Sequence, residues 1–151
     1  MYTCFFIGHR DAPEYIQEQL DDVVEHLAKM CDVSAFIVGN YGNFDRMATT
    51  AVQKLKKRYP DLYAYRLIPY FPEECAFILP ELFDDFYYPG GLEFIPRRFA
   101  IEKANLKTLE NCHYLVSYVC REGGWSAKIL RKAKSDQKKG YNIKVFNLPE
   151  L

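Results

Sequence analysis

No charge of one sign is in excess in this chain: Lys plus Arg and Asp plus Glu each number 20. That balance removes the bulk positive field through which counterion release holds nucleic acid, so nucleic acid is not an expected partner without a local basic patch. The two candidate patches are Lys54, Lys56, Lys57 and Arg58, and the run from Lys128 to Lys139. Both fall on amphipathic helical patterns and read as solvated helix faces. Histidine is scarce, at 3 residues, and the 5 cysteines (Cys4, Cys31, Cys75, Cys112, Cys120) form no CxxC pair, so no zinc or dithiol motif is present and no metal site is expected. Scattered cysteines suit a reducing compartment, and the expected location is cytoplasmic. No apolar run approaches the ~20 residues needed to span a bilayer. Met1-Tyr2 leads straight into a strand-like run, without the basic-then-apolar layout of a signal peptide. GxSxG, HExxH and GxxxxGK[ST] are all missing.

What is present is a regular alternation. Short apolar runs bounded by glycine or proline are separated by longer stretches of helical period, the pattern of βαβ units and a parallel sheet. Five strands are read: Thr3 to Ile7, Ala35 to Val38, Ala64 to Ile68, Tyr114 to Val119 and Ile143 to Phe146. Consecutive apolar residues suit strands covered on both faces. Ile16, Leu20, Val23, Val24, Leu27 and Cys31 recur at helical spacing. Met47, Ala48, Ala51, Val52 and Leu55 mark a second helix, closed by Tyr59-Pro60. Ile129, Leu130 and Ala133 mark another, ended by Gly140. At 151 residues and 49% hydrophobic, the chain suffices for one well-buried core, residues 1–151. The expected fold is a Rossmann-like three-layer αβα domain with a mostly parallel sheet of about five strands. Residues 69–96, rich in proline and aromatics, are too long for an ordinary connection and read as an ordered flap with one short helix near Glu81 to Phe86. Aromatics make up 16% of the chain. An apolar flap of this kind fills a core or is partly covered by a second copy, so a homodimer is expected.

Three glycine loops follow strands and, in a parallel sheet, fall on one edge. The first, Gly8-His9-Arg10, delivers an arginine suited to phosphate or carboxylate, or to a surface salt bridge. The second runs Gly39-Asn40-Tyr41-Gly42-Asn43-Phe44-Asp45 into a helix. Its two glycines let N–H groups converge on an anion at a helix N-terminus, and Asp45 either caps that helix or accepts from a ribose hydroxyl. The third is Gly123-Gly124-Trp125-Ser126. Arg97 and Arg98, with Asn105 two turns into the same helix, lie either over the pocket mouth or on the surface.

Together with Tyr88-Pro89-Gly90-Gly91-Leu92-Glu93 and Pro96-Arg97-Arg98-Phe99-Ala100-Ile101, these loops resemble the SLOG superfamily (Smf/DprA and LOG proteins), in particular its small YpsA-like branch. The resemblance spans nearly the whole chain in order. It implies a Rossmann-like site for nucleotides or nucleotide-derived ligands, carrying over Gly8, Arg10, Gly39, Gly42 and Asp45. The full set of expected ligand-binding residues is Gly8, His9, Arg10, Gly39, Asn40, Gly42, Asp45, Arg98, Asn105, Gly123, Gly124 and Ser126. Asn40 and Tyr41 depart from the family's small residues, Ala104 replaces the arginine of an Arg-Asn pair, and His113 stands where an aspartate is usual. The phosphoribohydrolase motif of LOG enzymes ends in a catalytic glutamate whose place here is taken by Leu130, so that reaction is not expected. The first expectation is a nucleotide-binding protein or sensor. The second is an enzyme acting on an N-glycosidic bond through Asp45, Glu93 or Glu102. The third is a single-stranded nucleic-acid interaction protein stacking bases on Tyr87, Tyr88 or Phe94.

Overall fold

The computed structural model describes residues 1–70 and 77–151. Its elements are β1 (Tyr2–Gly8), α1 (Gln17–Met30), β2 (Val33–Val38), α2 (Asn43–Arg58), β3 (Tyr63–Leu67), β4 (Asp85–Tyr87), α3 (Arg97–Glu110), β5 (Tyr114–Tyr118), α4 (Gly124–Lys138) and β6 (Lys144–Asn147). The sheet order is β4-β3-β2-β1-β5-β6, and every neighbouring pair is parallel.

The centre of the sheet forms where the sequence is apolar on consecutive residues. Along β1, Cys4 and Phe6 enter one core while Phe5 and Ile7 enter the other, because successive side chains point to opposite faces. The first core is closed by Leu20, Val24 and Leu27 of α1 and Met47, Ala51 and Leu55 of α2. The second is closed by Ala104 and Leu109 of α3 and Ile129, Leu130 and Ala133 of α4. The expected three layers are therefore present, and the strands match the expected runs to within two residues at either end.

The flap requires a correction. The helix expected near Glu81 to Phe86 does not form. Instead Phe83 N–H closes a turn onto the Pro80 carbonyl, and Asp85–Tyr87 adds a sixth strand to the edge of β3. Asp84 fixes this edge: its Oδ2 accepts from the Ala64 N–H at 2.8 Å and from Lys56 Nζ at 2.7 Å. Part of the flap, residues 71–76, lies outside the described residues.

Strand order reverses direction between β1 and β5: the chain builds outward to β2, β3 and β4 on one side, then to β6 on the other. In open α/β sheets such a switch point leaves a crevice at the carboxyl ends of the strands. Here it lies between the loops that leave β1 and β5.

Candidate functional site

The first two loops are fastened to each other by their glycines. A Cβ on Gly42 would come within 2.6 Å of the Arg10 Cα, so the absence of a side chain permits the close approach of the loops. Across that contact Asn43 N–H donates to the Arg10 carbonyl at 2.9 Å, and Asn43 Nδ2 donates to the Ala12 carbonyl. Gly8 and Gly39 likewise make room for protein: a Cβ would meet the Phe44 ring at 2.4 Å in the first case and Asp45 Oδ2 at 2.9 Å in the second.

Asp45 explains the second loop. It sits in the first turn of α2 and reaches back to accept the Tyr41 N–H at 2.9 Å, so a carboxylate of the chain itself takes a loop amide that an external anion would otherwise meet. Burial pushes the Asp45 carboxyl up to about 6, opposed by that N–H and by the charges of Arg66 and Arg10.

His9 turns inward. Its Nε2 accepts the Cys120 N–H at 3.0 Å, its ring stands edge-on to Tyr118, and burial followed by the Arg121 charge lowers its pKa, so it links the β1 and β5 loops as a neutral ring. Ser126 strengthens the same junction by donating to the Gly8 carbonyl at 2.9 Å. Outside it, Arg121 grips Asp11 through two bonds of 2.8 and 3.1 Å.

What these contacts leave open is a cleft at the switch point. Its inner compartment, about 170 Å³, is lined by Ile7, Gly8, Arg10, Tyr41, Asp45, Arg98, Ile101, Glu102, Asn105, Trp125 and Ser126. An outer compartment of about 470 Å³ continues past His9, Arg10, Gly123, Gly124, Trp125 and Ser126. Arg10, Trp125 and Ser126 line both. Among the described residues, neither Arg10 nor Arg98 has a carboxylate within ion-pair distance, and the Asn105 amide has no hydrogen-bond partner although the residue is only 9% exposed. Arg121, on the same edge, does pair with a carboxylate, that of Asp11. Arg97 lies over the Tyr70 ring at 4.6 Å.

Of the expected ligand-binding residues, Gly8, Arg10, Asp45, Arg98, Asn105 and Ser126 meet in the inner compartment, and His9, Gly123 and Gly124 border the outer one. Gly39 and Gly42 line neither and act in loop packing; Asn40 faces a separate chamber beside β3. Two aromatic walls, Tyr41 and Trp125, were not anticipated as ligand contacts. The presence of Trp125, the single tryptophan, in the third glycine loop was the available signal. Leu130 is buried in the second core, so α4 offers no carboxylate at that position. Glu93 is not among the cleft-lining residues, whereas Glu102 is. Among the described residues no group of three His, Cys, Asp or Glu could hold a metal ion. A hollow of about 490 Å³ at the opposite sheet edge contains Lys132 and Asp136, which already pair with each other at 3.0 Å.

Fold and cleft together define a parallel α/β protein of Rossmann-like topology with arginines at its switch point. No family model and no curated protein matches the chain. Among solved structures it is similar to the X-ray structure of DNA processing protein A (DprA) from Streptococcus pneumoniae, with a TM-score of 0.64 at 12% identity over 96% of this chain. The match takes in 50% of the DprA chain, so this chain spans about half of that structure's length. The Rossmann-like three-layer fold expected from the sequence is therefore shown. No helix among the described residues is long and apolar enough to cross a membrane.

Proposed function

We propose that this chain is a binding protein for a nucleotide or nucleotide-derived ligand, held in the switch-point cleft, and that it stands within the SLOG superfamily near the small YpsA-like branch. The observation that carries the reading is the convergence on one compartment of the guanidinium groups of Arg10 and Arg98, which have no carboxylate partner among the described residues, and of the amide of Asn105. Two cations without carboxylate partners suit a phosphate, and an amide opening on the cleft with no protein partner among the described residues suits a polar ring edge or a sugar hydroxyl. Trp125 bounds both compartments and offers an apolar face to the remainder of the ligand. The combined cleft falls in the ~300–1,000 Å³ range of small-molecule sites.

A thermal-shift panel of nucleotides, sugar phosphates and cyclic dinucleotides tests this. A ligand of this class is expected to raise the melting temperature, with the increase lost in Arg10→Ala and Arg98→Ala. If no member stabilises the wild type, or the two variants respond like it, the reading fails.

A second reading rests on Asp45 and Glu102, which line the same compartment, with the Asp45 carboxyl raised by burial to about 6. A carboxyl in that range suits general-acid protonation of a departing base, with the other carboxylate facing the sugar. Base release from a nucleoside or its phosphate, abolished by Asp45→Asn and by Glu102→Gln, is its expected signature.

A further inference from the structure

We propose that the chamber beside β3 is a second anion site, built around Arg66 and distinct from the Arg10–Arg98 cleft. It is a cavity of about 170 Å³ lined by Asn40, Tyr41, Arg66, Leu67, Phe77 and Ile78. Arg66 is only 7% exposed, yet everything it touches is neutral. One terminal nitrogen donates to the Gly39 carbonyl, the other to Thr49 Oγ1 at 3.1 Å, and the guanidinium carbon lies 5.5 Å from the centre of the Phe83 ring. Its Nε is buried with no acceptor, and among the described residues no carboxylate comes within ion-pair distance. Asp45 acts on it through space, but that carboxylate is turned to the Tyr41 N–H.

Removing a guanidinium from water costs several kcal/mol, and neutral acceptors and an aromatic face offset only part of that. If Arg66 served only to hold the Gly39 carbonyl and Thr49, a neutral donor would do so without burying a charge. An oxyanion in the chamber supplies a counter-charge in contact, where Asp45 acts only through space, and Asn40, whose side chain makes no hydrogen bond among the described residues, is placed on the wall to donate to it. A cavity of this size is well below the ~300 Å³ at which sites for whole drug-sized ligands begin, so the occupant is one phosphate-sized oxyanion, free or as the tail of a larger molecule. Tyr41 lines both this chamber and the inner compartment of the cleft and so forms the partition between them.

Calorimetric titration with inorganic phosphate, at ionic strength matched with chloride, tests the chamber apart from the cleft. The first protein is the Arg10→Ala/Arg98→Ala double variant, in which the cleft has lost its arginines. Phosphate is expected to keep one binding site in it, the chamber's, whatever the cleft has lost. Asn40→Asp, added to the same background, sets a carboxylate on the chamber wall facing Arg66. Asn40 is exposed, so the substitution leaves the core alone. It is expected to weaken phosphate by about ten-fold or more and to raise stability when phosphate is absent. Binding lost entirely in the double variant assigns phosphate to the cleft and overturns the chamber, while leaving the proposed function standing. No binding to any of the proteins, or a smaller loss with Asn40→Asp, also overturns it.

Discussion

At the scale of single residues, the cleft is organised by a carboxylate the chain keeps for itself. Asp45 is half-buried in the cleft wall, and moving its pKa from 3.8 to about 6 makes its ionised form in the folded state less favourable by roughly 3 kcal/mol. The folded-state value is raised above the unfolded one, so this stability contribution is complete below about pH 4 and is lost as pH rises through about 6. Asp45→Asn retains an oxygen for the Tyr41 N–H while removing the charge. It is expected to be more stable than the wild type at neutral pH by on the order of 1–3 kcal/mol, with the two converging near pH 4. Urea denaturation at both pH values measures the difference, and a constant offset across the range would contradict it. The glycines carry a related lesson. Gly8, Gly39 and Gly42 stand where a ligand-approach motif is expected, yet their space is taken by Phe44, Asp45 and Arg10. A glycine-rich spacing reveals that something comes close without saying what.

Among the elements, the edge of the sheet is where sequence and structure diverge. The strands from β1 to β3 and β5 to β6 announce themselves through apolar runs, because two helical layers bury them. β4 has three residues, lies beside prolines and takes its order from Asp84 rather than from its own pattern. The Asp84 contact also serves Lys56, which is 8% exposed and would be left without its carboxylate if Asp84 were removed. Asp84→Ala is expected to cost on the order of 1–3 kcal/mol, discounted for the partial exposure of the carboxylate, and to release β4 first. Hydrogen exchange checks this: Ile68 N–H, which donates to the Tyr87 carbonyl, should lose protection ahead of the β1 and β2 amides.

For the molecule as a whole, self-association is the remaining expectation. Phe94 is 99% exposed and Ile78 is 85% exposed, both large apolar side chains left to solvent in the single chain. Sedimentation velocity is expected to show a dimer that Phe94→Glu converts to monomer. A wild-type monomer at micromolar concentration would remove the dimer from consideration. The layered fold was legible because apolar periodicity is a local property that directly reflects burial, and the cleft's edge was legible because parallel strands put all their outgoing loops on one side. Arg10 could be named in advance for the same reason, and Arg98 and Asn105 from their place in the helix that follows the flap. The sequence by itself therefore determined the αβα architecture, the edge that holds the cleft and most of the polar residues in it. Only the tertiary structure decided that His9 and Asp45 bond to the protein, that Trp125 and Tyr41 form the walls, and that Arg66 is buried with no carboxylate in ion-pair distance among the described residues. Those outcomes depend on which side chains meet across loops far apart in the chain, and no spacing within a single segment encodes such a meeting.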